Sequence, residues 1–181
     1  PGVHTGSWIF QPTDGSQGCI KYQTDLHIRN VYGMQNNRRA SYLDTCGHSS
    51  CRGGYEVSTT AHGSNRDGVH TGTWRITTFS GGGSGCVPLN SHIAITNMYN
   101  GGSYLDTCGH SGCGGGYEVS TTSLQNRDGV HTGTWFLDGQ VVPSQAVQTA
   151  AQAAAAQYGA EVHVRNVYGN QHNRGASYLD T

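Results

Sequence analysis

Nearly the same twenty residues occur twice in this chain, as SYLDTCGHSSCRGGYEVSTT from Ser41 to Thr60 and SYLDTCGHSGCGGGYEVSTT from Ser103 to Thr122. SYLDT then begins a third time at Ser177. Such repetition limits the fold more than composition does, because every copy must satisfy the same local contacts. Asp44, Asp106 and Asp180 mark steps of 62 and 74 residues. Two whole units span about 25–77 and 91–137, an incomplete one spans 160–181, and residues 1–10 match only the final strand of a unit.

Each unit carries four short stretches with strand character. In the first unit they are Leu26–Val31, Ser41–Thr45, Tyr55–Thr59 and Thr73–Thr77. Alternation in DLHIRNV puts Leu26, Ile28 and Asn30 on one face, and clusters of Gly, Asn, Ser and Asp between the stretches read as turns. Four strands in each of three units make twelve, with threefold pseudo-symmetry. The expected fold class is therefore all-β, a single β-trefoil-like domain over residues 1–181. The exception is Ser144–Glu161, an Ala/Gln-rich insertion whose propensity favours an inserted helix or a linker.

Charged residues make up only 12% of the sequence and the formal net charge is −1, so nothing in the charge balance points to nucleic acid or to an anionic membrane. No apolar run reaches the roughly 18 residues of a membrane span. The start, PGVHTGSW, reads as a mature product or a fragment.

The six cysteines follow the repeat. Cys46 and Cys51 recur as Cys108 and Cys113, and Cys19 corresponds to Cys86. An even, repeat-placed set suggests two short loops closed by disulfides and one longer link, hence a secreted, extracellular protein. Zinc is the rival, with Cys46, His48 and Cys51 as ligands. There is no C-x₂-C pair, however, and three ligands so close in sequence would strain around one ion. No metal and no cofactor are expected.

The order of an apolar strand ending in Asn (HIRNVYG), then YLDT, YEVSTT and NRDGVHTGTWRI ending on Trp, resembles β-trefoil lectin repeats of the ricin B-chain kind, in the extended form of bacterial carbohydrate-binding modules. That resemblance implies a carboxylate gripping sugar hydroxyls at Asp44, Asp106 and Asp180. It also implies an amide contact from an Asn before the Trp, for which Asn65 and Asn126 stand. The chain departs from the family in having TGTW and TGSW where Q-x-W is expected, and in units longer than the usual repeat.

Other candidates follow from the residues themselves. Tyr42, Tyr104 and Tyr178 lie two before the aspartates, so alternation gives each Tyr and Asp a common face. An exposed face makes a ring platform beside an acceptor; an internal one makes a core aromatic and a turn cap. Tyr55 and Tyr117 follow glycine-rich tips, where a ring could stack on a sugar or sit at the base of a hairpin. His48 and His110, like His4, His70 and His131 in VHTG, could bond sugar hydroxyls, although holding a loop is the expected role. Trp8, Trp74 and Trp135 are expected in the core. Arg and Asp of the NRD triplets at 65–67 and 126–128 are expected to brace one another.

Catalysis is not expected, because the polar residues are shared equally among units rather than gathered into one asymmetric constellation. Equivalent weak sites instead gain avidity on a target that itself repeats, such as surface glycans or polysaccharide. The leading expectation is a secreted multivalent carbohydrate-binding protein. The alternative is a structural protein. The chain is out of phase with its own repeat, so an unpaired strand edge could be filled by a neighbouring copy, giving a homo-oligomer or a filament.

Overall fold

A computed structural model describes residues 5–35, 41–45, 57–61, 70–107, 119–128, 131–139, 155–168 and 178–179. The described residues are all-β, with ten antiparallel strands, one short α-helix and a 3-10 turn at Tyr99–Gly101. The strands are β1 (Ser7–Pro12), β2 (Leu26–Asn30), β3 (Tyr42–Thr45), β4 (Val57–Thr60) and β5 (Trp74–Thr78), followed by β6 (Ile93–Asn97), β7 (Ser103–Thr107), β8 (Val119–Thr122), β9 (Trp135–Asp138) and β10 (Glu161–Asn166). The helix α1 (Val31–Gln35) follows β2. Observed strand bounds lie within two residues of the expected ones in the first unit.

Six of these strands close on themselves. β1 pairs β2, β2 touches β5, β5 pairs β6, β6 touches β9, β9 pairs β10, and β10 returns to β1. Closure gives every strand of the ring a partner on each side, although β2–β5 and β6–β9 are joined by single residue pairs, Leu26 with Trp74 and Ile93 with Trp135. The register repeats as well: Trp8 lies opposite Asn30, Trp74 opposite Asn97, and Trp135 opposite Asn166. Hairpins β3–β4 and β7–β8 attach to the ring through β2 and β6. They meet where the hydroxyls of Thr45 and Thr121 lie 3.1 Å apart. The third unit contributes β10, a bridge between Arg165 and Tyr178, and β1 from the other end of the chain.

The core follows from alternation. The buried pattern of β2 leaves Leu26, Ile28 and Asn30 inside, as expected of a half-buried strand. The eighteen side chains of the buried hydrophobic cluster take one residue from each unit at six positions. The three tryptophans form one such set, Phe10, Ile76 and Leu137 a second, and Leu43, Leu105 and Leu179 a third. Each indole N–H finds a carbonyl: Trp74 donates to Leu43 at 2.9 Å, Trp135 to Leu105 at 2.8 Å, and Trp8 to Leu179 at 2.9 Å. The core role expected for the tryptophans is therefore seen, with the polar atom of each ring satisfied.

One end of the ring is closed by the three segments that lead into β2, β6 and β10. Ile20 N–H donates to Ala156 O at 2.8 Å, Ala156 N–H to Val87 O at 3.1 Å, and Val87 N–H to Ile20 O at 2.8 Å, a cycle of three hydrogen bonds. Beside it a disulfide joins Cys19 to Cys86, with Cα atoms 5.6 Å apart. The corresponding residue in the third segment is Ala155, bridged to Pro88. The segment 144–161, expected as an inserted helix or a linker, is not helical in its described part: Ala155 and Gln157 form bridges and β10 begins at Glu161. Hydrogen bonds to Ile20 and Val87 outweigh the local helical preference of alanine. Residues 144–154 lie outside the described residues.

Candidate functional site

The repeated loop before each Trp is built around a threonine. Thr71 and Thr132 are fully buried. The Oγ1 of Thr71 donates to Asp44 Oδ2 at 3.0 Å, and that of Thr132 to Asp106 Oδ2 at 3.0 Å. Their carbonyls accept from the backbone N–H of Thr45 and Thr107, each at 3.0 Å. The same carbonyls accept from the next unit's Asn side chain, Asn97 and Asn166, each at 2.7 Å. Asn30 makes the matching contact to Thr5 O. The turn itself needs a left-handed residue, and His70 (φ 65°) and His131 (φ 63°) supply it. Their carbonyls close the turn by accepting from Thr73 and Thr134. Backbone geometry thus places these histidines in the turn, and the His131 ring meets the Thr134 hydroxyl at 3.4 Å.

This arrangement decides where the aspartates lie. Asp44 and Asp106 are both 0% exposed. Oδ2 of Asp106 also accepts the Arg127 N–H at 3.3 Å, and Oδ1 lies 2.9 Å from Arg127 Nε, an ion pair without hydrogen-bond alignment. Burial pushes the Asp106 carboxyl up to about 6, outweighing the lowering effects of the Thr132 hydroxyl and of Arg127. Asn126 (φ 56°) belongs to the same cluster, its Oδ1 accepting from Gly133 N–H at 2.8 Å and from the Thr134 hydroxyl at 3.2 Å. A Cβ at Gly133 would stand 2.9 Å from Asp106 Oδ2, so that position takes glycine for space. In the second NRD triplet Arg127 reaches Asp106 and, through Nη1, Ser120 at 2.9 Å; the first triplet, 65–67, lies outside the described residues.

The tyrosines take a different environment. Tyr42 and Tyr104 are half-buried on the outside of the sheet and Tyr178 is 50% exposed. Tyr42 pairs across from Arg29, whose guanidinium sits 4.9 Å from the ring centroid, and His27 meets the ring edge-on at 6.2 Å. Tyr178 has the same neighbours in the third unit, Arg165 at 5.0 Å and His163 at 5.7 Å. At Tyr104 the corresponding residues are Ala94 and Thr96. Tyr42 and Asp44, two residues apart on β3, differ in burial: Tyr42 is half-buried, while Leu43 and Asp44 are both buried. The pleat sets direction only, and the Thr71 loop covers the strand end where Asp44 would otherwise emerge.

Arg29, His27, Arg165 and His163 are the site residues that sequence reasoning passed over. The signal was present in the spacing, since HIR and HVR place His and Arg on the face opposite the core residues. Tyr55, Tyr117, Asn65, His48, His110, Asp180, Cys46, Cys51, Cys108 and Cys113 lie outside the described residues. Among the described residues no three His, Cys, Asp or Glu side chains are grouped to hold a metal, and no helix is long and apolar enough to cross a membrane. The Cys19–Cys86 disulfide is consistent with an extracellular protein. No protein-family model matches the chain, and no curated protein matches it.

Proposed function

We propose that the protein is a secreted β-trefoil lectin that binds glycans or polysaccharide through shallow, repeated contacts and catalyses no reaction. The observation that carries this reading is the set of outward tyrosines, Tyr42, Tyr104 and Tyr178, at one position of each unit around a closed ring of six strands. The ring with two strands from each of three units, and the hairpins β3–β4 and β7–β8 attached to it, supports the trefoil reading. Half-exposed aromatic faces beside hydrogen-bonding side chains suit the apolar C–H face and the hydroxyls of a sugar. Avidity from three such faces compensates for the weakness of each. Asp44 and Asp106 support the reading indirectly, as anchors of the scaffold, because their oxygens are directed to Thr71, Thr132 and Arg127.

A glycan array read with the native chain and with a Tyr42→Ala/Tyr104→Ala/Tyr178→Ala variant tests it. Binding that a free sugar competes away, and that falls at least about tenfold in the variant, is the expected result. Silence across the array from a folded native chain, or identical binding by the variant, overturns it.

A further inference from the structure

The three outward faces differ in charge, and the register shows why. Arg165 in β10 lies opposite Phe136, and His163 lies opposite Asp138. Its guanidinium is held between the rings of Phe136 and Tyr178, at 4.9 and 5.0 Å, and Nη1 donates to Asp138 at 3.2 Å. That charge is compensated within the unit. In β2 the equivalent Arg29 lies opposite Ile9, and His27 lies opposite Gln11. A neutral amide thus stands where the third unit has its carboxylate. In β6 the same positions are Ala94 and Thr96, and Arg75 on the facing strand is paired with Asp25.

Among the described residues Arg75, Arg127 and Arg165 each have a carboxylate partner, and Arg29 has none. It is nonetheless held in one orientation. Its Nε donates to the Ser41 hydroxyl at 3.1 Å, its face lies on Tyr42, and Ser41 itself is 1% exposed. Fixing Nε and one face leaves the two Nη groups as the edge a planar or tetrahedral oxyanion takes bidentately. His27 stands beside it with Nδ1 at 3.1 Å from Gly72 O. A carbonyl only accepts, so Nδ1 carries the proton and Nε2 is left as an acceptor for a ligand hydroxyl.

We propose that the Arg29–Tyr42–His27 face of the first unit binds the anionic group of an acidic saccharide, a carboxylate or a sulfate ester. The second and third units, neutral and self-compensated at this position, then favour uncharged sugars. This inference rests on the carbohydrate-binding reading and adds a ligand class to one of its sites. Specificity of this kind comes from a missing internal acid as much as from the cation itself.

Dextran sulfate and polygalacturonate, with neutral dextran as the control, are titrated against the native chain and three variants, folding being checked by circular dichroism. Arg29→Ala removes the cation. Gln11→Asp installs the acid of the third unit and neutralises Arg29 without deleting it. Arg75→Ala removes the same formal charge elsewhere on the surface. The expected result is a loss of at least about tenfold for a polyanion in Arg29→Ala and in Gln11→Asp, and a change under about twofold in Arg75→Ala. Equal affinity in all four chains, or an equal loss in Arg75→Ala, overturns the proposal. Neutral glycans bound on the array with no polyanion affinity overturn the acidic site alone; no binding to any saccharide overturns the reading beneath it.

Discussion

Asp106 shows how a single side chain can be spent on architecture. Its carboxyl is withdrawn from water and keeps its proton up to about pH 6, against 3.8 for the ordinary group. A group whose folded value is raised stabilises the fold fully below the unfolded value and loses that contribution as pH rises through the folded one. The window here runs from about pH 4 to about pH 6, and the difference corresponds to ~3 kcal/mol. Asp106→Asn mimics the protonated form and removes the titration. Urea unfolding of both chains from pH 4 to pH 7 should therefore show native stability falling by about that amount relative to the variant. A constant difference across the range would mean that Arg127 holds the carboxylate ionised in the folded state.

Among the elements, the loop ahead of each Trp joins one unit to the next. Asn97 donates to Thr71 O and accepts from Tyr99 N–H at 2.9 Å, so one amide spans the junction between β5, β6 and the turn that follows. Asn97→Ala removes the side chain that bonds both Thr71 O and Tyr99 N–H and should cost about 2 kcal/mol by chemical denaturation, whereas a surface change such as Gln17→Ala should cost almost nothing. This buried Asn was legible in the sequence, since period-two alternation in DLHIRNV put Asn30 with Leu26 and Ile28, as the structure does. The tryptophan core was legible for the same reason. Asp44 was not, because alternation says which way a side chain points and nothing of a loop some 27 residues later that covers it. Nor was Ala155–Gln157, where local composition favoured a helix and hydrogen bonds to distant segments prevailed. The contrast between Arg29 and Arg165 needed the strand register, which alone sets Gln11 against Asp138.

Across the whole molecule, closure depends on distant partners. β1 meets β10 from opposite ends of the chain, with Ser7 opposite His163, and Trp8 caps Leu179. The Cys19–Cys86 disulfide spans 67 residues of that path. A loop of this length is worth about 4 kcal/mol through the entropy it removes from the unfolded chain. The paired substitution Cys19→Ser/Cys86→Ser should lower the unfolding free energy by about that amount while leaving the cycle of Ile20, Val87 and Ala156 intact, as amide exchange would report. Full retention of stability would mean that the hydrogen-bonded cycle alone closes this end.

The disulfide also sets a limit on how alike the units can become. The three segments meet in one cycle of hydrogen bonds, but a sulfur–sulfur bond joins only two members of any set. Three identical copies would leave a third thiol beside a finished bond, free to attack it and exchange. Ala155 in place of a third cysteine resolves that mismatch between an odd number of places and a bond made in pairs. Perfect threefold symmetry and a stable cross-link are incompatible at this point of the fold, so one repeat has to differ from its siblings for the other two to be joined.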